Sequence, residues 1–209
     1  MTLFYLHGFA SSPASSKASY FRERLAGHGI ALHCPDFNEP DFRTLTMTRM
    51  LKQLGDVLAE GAPSGAALVG SSLGARLAIL AAARFPQAVD RLILLAPAVI
   101  AADTFLPPDR MAAWKREGTA MFVHHAGGER LLDYAFYEDL AADDVWEAEF
   151  NQPAIAFQGL RDTSVDHHVV EDFASTRPNV SLTLLDDEHQ LLGSLPRIWS
   201  EVEAFLGLR

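Results

Sequence analysis

Residues 66–85 read AALVGSSLGARLAILAAARF, and this segment is the most informative about the architecture. A short apolar run at 66–69 is typical of a buried strand, and the segment after Gly74 predicts a helix that is apolar on nearly every side and ends before Pro86. Between them stands the pentapeptide Gly70-Ser71-Ser72-Leu73-Gly74. A Gly-x-Ser-x-Gly sequence at a sharp strand-to-helix turn exposes its serine hydroxyl above the sheet, because the small flanking residues allow the bend. Ser72 is therefore the candidate nucleophile, with a helix N-cap as the alternative interpretation.

The rest of the chain repeats this alternation of strand and helix. Further apolar runs predict strands at 3–6, 30–33, 91–96, 154–158 and 180–185. Helical periodicity or composition predicts helices near 18–25, 47–58, 73–85, 166–175 and 198–205. Such alternation is typical of an α/β fold with a doubly wound, mostly parallel sheet, here of six strands. We expect residues 1–209 to form a single domain.

The alternation lapses between residues 98 and 152. This segment carries a large share of the aromatic residues and two weakly helical patches. We interpret it as a small helical cap or lid inserted into the domain, and a pair of ordinary surface helices is the alternative.

Composition limits the function classes. The net charge of −10 and the pI near 5.2 argue against binding to nucleic acid or to an anionic membrane, which needs clustered Lys and Arg. The single cysteine, Cys34, excludes an intrachain disulfide and fits a reducing compartment, so we expect a cytoplasmic protein. The apolar run at residues 1–6 is too short for a signal peptide, and no window reaches the length of a membrane span.

The residues that directly follow the strands are the candidates for chemistry, because catalytic groups of such sheets gather at the carboxyl ends of the strands. They are His7-Gly8-Phe9, Ser72, Asp162 and His189. A serine hydroxyl is a weak nucleophile, so Ser72 needs a base, His189, and the base needs a carboxylate to fix its tautomer. Asp162 is the preferred carboxylate, and Asp166 competes with it.

An acyl-transfer intermediate also needs hydrogen-bond donors for its oxyanion. We assign these to the backbone amides of Leu73, the residue after the serine, and Phe9, in the loop after the first strand. His7, Gly8 and Ser71 are expected to support this loop or to contact substrate.

The remaining motifs favour neither a metal nor a nucleotide. His124-His125 and His167-His168 are adjacent pairs, which we expect to point apart and to lack carboxylate companions at ligand spacing. No Gly-x-Gly-x-x-Gly or phosphate-loop pattern is present. The sequence thus predicts no metal site and no cofactor.

Four segments together resemble the α/β-hydrolase superfamily: residues 5–13 (YLHGFASSP), 70–74 (GSSLG), 159–162 (GLRD) and His189. The first segment is similar to the opening of the small bacterial YqiA-type esterases. The resemblance implies a fold that lacks the first two strands of larger relatives. It also implies Ser72 as nucleophile, Asp162 as acid, His189 as base, and the Phe9 and Leu73 amides as the oxyanion hole.

These observations predict a serine hydrolase of the carboxylesterase type, which cleaves a small carboxylic ester or thioester through an acyl-enzyme. A carbon–carbon or amide hydrolase, or an acyltransferase, could use the same three residues. A catalytically silent protein with this fold, serving as a binding module, is the alternative of a different class. The oligomeric state and the substrate stay open.

Overall fold

The computed structural model describes residues 1–61, 65–125 and 127–208; residues 62–64, 126 and 209 lie outside the described part. Strands and helices follow one another in this order: β1 (Thr2–Leu6), α1 (Ser16–Ala26), β2 (Leu32–His33), α2 (Met47–Gly61), β3 (Ala66–Ser71), α3 (Leu73–Arg84), β4 (Val89–Leu95), α4 (Pro108–Glu117), β5 (Thr119–Val123), β6 (Glu129–Asp133), α5 (Ala135–Ala142), β7 (Ala154–Gly159), α6 (His167–Ser175), β8 (Val180–Leu185) and α7 (Leu195–Phe205).

Six strands form the central sheet in the order β2-β1-β3-β4-β7-β8. Each neighbouring pair is parallel, which confirms the predicted doubly wound α/β architecture. The chain runs from β1 outward to β2 and then returns to β3 on the other side of β1. The strand order therefore reverses between β1 and β3, and ligands of open α/β sheets bind at the carboxyl ends of the strands beside such a point.

Both faces of the sheet are covered. Along β1, Leu3 and Tyr5 pack with α1 and α7, whereas Phe4 and Leu6 pack with α2, α3 and α6 on the opposite face. This two-residue period explains why the central strands are apolar without interruption. Helix α3 is buried along most of its length, as its composition predicts. No helix among the described residues is both long and apolar enough to cross a membrane.

The segment 98–152 is more varied than expected. Its two helical patches are the helices α4 and α5, but an antiparallel hairpin of β5 and β6 lies between them. The hairpin was not predicted because each strand buries a single residue, Phe122 in β5 and Leu132 in β6, so neither forms a clear apolar pattern. We keep the name cap for residues 98–152.

One arginine of the core binds the cap in two places. Arg76 lies in the first turn of α3 and is 3% exposed. Its guanidinium donates hydrogen bonds to the carbonyl oxygens of Ala98 and Ile100, at 3.4 and 3.1 Å, and of Leu140 and Asp143, at 3.2 and 2.5 Å. The last two carbonyls belong to the C-terminal end of α5, where a positive charge is favoured by the helix dipole. The cap is therefore attached to the same helix that begins at Ser72.

Replacing Arg76 with methionine should loosen this attachment. The four carbonyls would lose a charged donor, so we expect the Arg76→Met variant to lose about 3 kcal/mol in the free energy of unfolding, measured by urea denaturation. Arg84→Met is the matched control, because Arg84 is an exposed residue of the same helix. Equal stability of the two variants would contradict the role given to Arg76.

Candidate active site

The turn between β3 and α3 is strained at Ser72. This residue has φ 54° and ψ −115°, a backbone conformation with positive φ that residues other than glycine rarely adopt. The backbone around it is well anchored: Ser72 N–H donates to the Leu95 carbonyl at 2.9 Å, and the Ser72 carbonyl accepts from the amides of Ala75 and Ala98. Gly74 must be a glycine because a Cβ would overlap with the Leu6 carbonyl oxygen. This conformation places the Ser72 hydroxyl at the carboxyl edge of the sheet.

Ser72, His189 and Asp162 form a continuous row of hydrogen bonds. Ser72 Oγ lies 3.1 Å from His189 Nε2, and His189 Nδ1 lies 2.7 Å from Asp162 Oδ2. When Nδ1 carries the ring proton and donates it to the carboxylate, Nε2 is free to accept the Ser72 hydroxyl proton. The three residues come from the ends of β3, β8 and β7, so the sheet brings together groups that are far apart in the chain.

Asp162 is held as a carboxylate by its surroundings. Burial would raise its pKa, but hydrogen bonds from His189, from the Val165 amide and from Gln158 outweigh this effect and hold the pKa below its ordinary value. Oδ1 accepts from the amides of Ser164 and Val165 at 2.8 and 2.9 Å, and Oδ2 also accepts from Gln158 Nε2 at 2.9 Å. The carboxylate therefore cannot rotate freely, and its orientation toward His189 is fixed.

The competing carboxylate, Asp166, has a different task. It is the N-cap of α6, where its Oδ1 accepts the His168 amide at 3.0 Å. The structure thus brings Asp162, and not Asp166, to His189.

Asp187 shapes the loop that carries His189. Its two carboxylate oxygens accept the amides of Glu188 and Ser194, each at 2.8 Å, and its carbonyl accepts the Arg161 amide at 3.0 Å. The loop passes directly over Gly159, where a Cβ would lie 2.5 Å from the Asp187 carbonyl oxygen. A glycine at the end of β7 is therefore required for His189 to reach the serine.

Two backbone amides beside the turn are free to donate hydrogen bonds to a bound group. Within the described part of the chain, the amides of Phe9 and Leu73 donate to no backbone or side-chain acceptor. Leu73 begins α3, where the first amides have no partner within the helix. The Phe9 ring packs with ring centroids 5.2 to 5.7 Å from four other phenylalanines, which fixes this loop: Phe42, Phe105, Phe122 and Phe136.

His7 supports the loop instead of facing the cavity. Its ring is 3% exposed, with Nδ1 placed 3.0 Å from the Gly8 carbonyl, and Nε2 accepts the Phe37 amide at 3.0 Å. Burial lowers the pKa of His7, which agrees with a neutral ring that uses one nitrogen as donor and the other as acceptor. Gly8 lies against the turn, since a Cβ there would come within 3.2 Å of the Ser71 carbonyl oxygen.

A cavity of about 840 Å³ opens over this row. Ser72 and His189 line it, and so do Gly8, Ser71 and the serine-rich segment after β1. The cap contributes apolar side chains, including Phe105 and Phe122. The lining residues that the sequence analysis did not assign to the site include His125, in the cap, and Lys17, in the first turn of α1. A lone charged residue at the start of a helix gives no signal in the sequence that it is buried.

The expectation that adjacent histidines point apart was wrong for both pairs. The ring centroids lie 4.3 Å apart in His124-His125 and 4.0 Å apart in His167-His168. The expectation that the pairs lack carboxylate companions was also wrong for His167-His168: both rings lie at hydrogen-bond distance from Glu171, one turn later in α6, and ligand atoms of Asp166, His167 and His168 lie within 4.8 Å of one another. The cluster of Asp166, His167, His168 and Glu171 does not line the cavity, and exposed acidic groups are common without an ion.

Comparison with solved structures supports the fold assignment. A protein from Agrobacterium vitis S4 is 24% identical, with a TM-score of 0.84 over 97% of this chain and 87% of that chain. Est1E from Butyrivibrio proteoclasticus, with ferulic acid bound, is 21% identical, with a TM-score of 0.82 over 99% and 88%. A monoacylglycerol lipase from Paleococcus ferrophilus is 13% identical, with a TM-score of 0.81 over 99% and 94%.

Comparison at the level of sequence identifies a protein family. No curated protein matches the chain. A family model matches residues 2–191, which include the strained turn, Asp162 and His189. The chain has the α/β-hydrolase fold and belongs to the uncharacterised protein family UPF0227.

Proposed function

We propose that this protein is a serine hydrolase, which cleaves a carboxylic ester or thioester through an acyl-enzyme. The observation that carries the proposal is the hydrogen-bonded row of Ser72, His189 and Asp162 at the edge of a cavity. Further support comes from the name of one similar structure, a monoacylglycerol lipase, which denotes an enzyme that acts on carboxylic esters.

In the first half of the reaction Ser72 Oγ attacks the carbonyl carbon of the substrate while His189 Nε2 takes the hydroxyl proton. The carbonyl electrons move onto the oxygen, and the amides of Phe9 and Leu73 stabilise the resulting oxyanion. Asp162 accepts a hydrogen bond from Nδ1 and stabilises the positive charge on the His189 ring. As the tetrahedral intermediate collapses, the bond to the alcohol or thiol breaks and His189 returns the proton to that leaving group.

In the second half water replaces the alcohol. His189 takes a proton from the water, whose oxygen attacks the acyl carbon, and then returns the proton to Ser72 as the carboxylic acid leaves. Each proton and electron pair is accounted for by the three side chains and water, so the proposal invokes no cofactor. If another nucleophile takes the place of water, the same groups perform acyl transfer.

Covalent labelling tests the role of Ser72. A fluorophosphonate should react with the wild-type protein, because Ser72 Oγ attacks phosphorus and displaces fluoride, and peptide mapping should find the adduct on Ser72. Ser72→Ala should abolish labelling, whereas Ser71→Ala, at the neighbouring position, should keep the adduct. Labelling that survives Ser72→Ala, or a folded wild-type protein that neither reacts with the probe nor turns over esters, would contradict the proposal.

A pair of aspartate variants tests the assignment of the acid. Asp162→Asn should reduce kcat on p-nitrophenyl butyrate by roughly a thousandfold, because an amide at this position favours the wrong tautomer of His189. Asp166→Asn should stay within about threefold of wild type, since asparagine is as good an N-cap as aspartate. Similar losses in both variants would remove the distinction drawn between the two carboxylates.

A further inference from the structure

The cavity is lined by two sets of residues with different chemistry. The cap supplies apolar side chains such as Ile100, Phe105 and Leu106. The segment after β1 and the first turn of α1 supply polar ones: Ser11, Ser12, Ser15, Ser16 and Lys17. An ester with two apolar halves would leave the second set without a partner. The polar set could therefore bind a polar or charged group of the substrate.

Lys17 is the charged member of the polar set. It is 6% exposed, and its side chain makes no hydrogen bond or ion pair with any described residue. Its ammonium nitrogen is not among the fully enclosed polar atoms that lack partners, so this atom keeps some accessible surface, and Lys17 is one of the residues that line the cavity. A buried lysine without a partner is costly and uncommon, because the charge has lost most of its hydration.

The two carboxylates that attract Lys17 electrostatically do not pair with it. Asp162 and Asp187 attract the ammonium group, but neither forms an ion pair with it. Their oxygens are already occupied, those of Asp162 by His189, Gln158 and two amides, and those of Asp187 by the amides of Glu188 and Ser194. Burial lowers the pKa of Lys17 to about 8, so the group is still mostly protonated at neutral pH.

The first turn of α1 adds further donors at the same place. Ser15 is the N-cap of this 11-residue helix, and its Oγ accepts the Ala18 amide at 3.3 Å. The amides of Ser16 and Lys17 have no acceptor among the described residues. Free amides and the positive end of the helix dipole favour an anion, and here they border the cavity beside an unpartnered ammonium group.

We propose that Lys17, together with the free amides of Ser16 and Lys17, binds an anionic group of the substrate, a carboxylate or a phosphate. The inference rests on the proposed function, because the bound molecule is taken to be the ester that Ser72 attacks. It narrows the substrate class to acidic esters, whose apolar part lies against the cap while the charged group lies against the start of α1.

Three matched p-nitrophenyl esters test the preference: the glutarate monoester with a free carboxylate, its neutral methyl ester, and an analogue that ends in a phosphate. Wild-type protein should have the highest kcat/KM on a charged ester. Lys17→Met, which keeps the length of the side chain without its charge, should reduce the ratio of charged to neutral kcat/KM at least tenfold. The charged ester whose kcat/KM falls further in Lys17→Met carries the anion, carboxylate or phosphate, that the site prefers.

Lys52→Met is the control, because Lys52 is an exposed residue of α2 and its removal should leave the ratio unchanged. A wild-type preference for the neutral ester, or an equal effect of Lys17→Met on all three esters, would overturn the inference.

A binding measurement separates this inference from the proposed function. Calorimetry with glutarate and with inorganic phosphate on Ser72→Ala protein requires no turnover. We expect one of these anions to bind, and Lys17→Met in the same background to raise its Kd at least tenfold. No binding of either anion would overturn the anion site even if the esters are hydrolysed, whereas absence of hydrolysis with intact anion binding would overturn only the proposed function.

Discussion

The site depends on one close approach, the contact between the start of α3 and the end of β1. Gly74 lies against the Leu6 carbonyl, and this contact is what allows the chain to turn sharply at Ser72. A serine backbone with positive φ costs of order 1–3 kcal/mol. The surrounding structure offsets that cost with the hydrogen bond from Ser72 N–H to Leu95 and with those accepted by the Ser72 carbonyl. In the described part of the chain, three other residues that are not glycine have positive φ, and they lie at the same carboxyl edge: Ala10, Ala96 and Leu191.

The site also depends on polar groups whose orientation is fixed by hydrogen bonds. The four donors around Asp162 fix the carboxylate, and the carboxylate fixes the ring of His189. Arg76 has a similar role for the cap, since it binds carbonyls at the start of the cap and at the end of α5, one turn beyond Ser72. Ser72 and the cap are thus both attached to α3, so a displacement of this helix would disturb both together.

The sequence was sufficient for the sheet and for the row of three residues, for a physical reason. Buried parallel strands are continuous apolar runs, and the residues after them must meet at one edge, so Ser72, Asp162 and His189 could be located without coordinates. The β5–β6 hairpin could not, because each strand buries one side chain. The position of Lys17 could not either, since its burial depends on segments far away in the chain. The histidine pairs were misjudged because ring orientation is set by side-chain rotamers and by partners such as Glu171, not by backbone direction alone.

The proposed mechanism requires Ser72 to carry the acyl group between the two halves of the reaction. Rapid acid quenching of the wild-type protein with excess p-nitrophenyl ester, followed by mass spectrometry of its peptides, tests it most directly. We expect a peptide heavier by one acyl group, with the modification on Ser72, at a level that approaches one acyl group per protein when deacylation is slow. Ester turnover with the acyl group on another residue, or by direct attack of water with no acylated peptide under any quenching time, would contradict it.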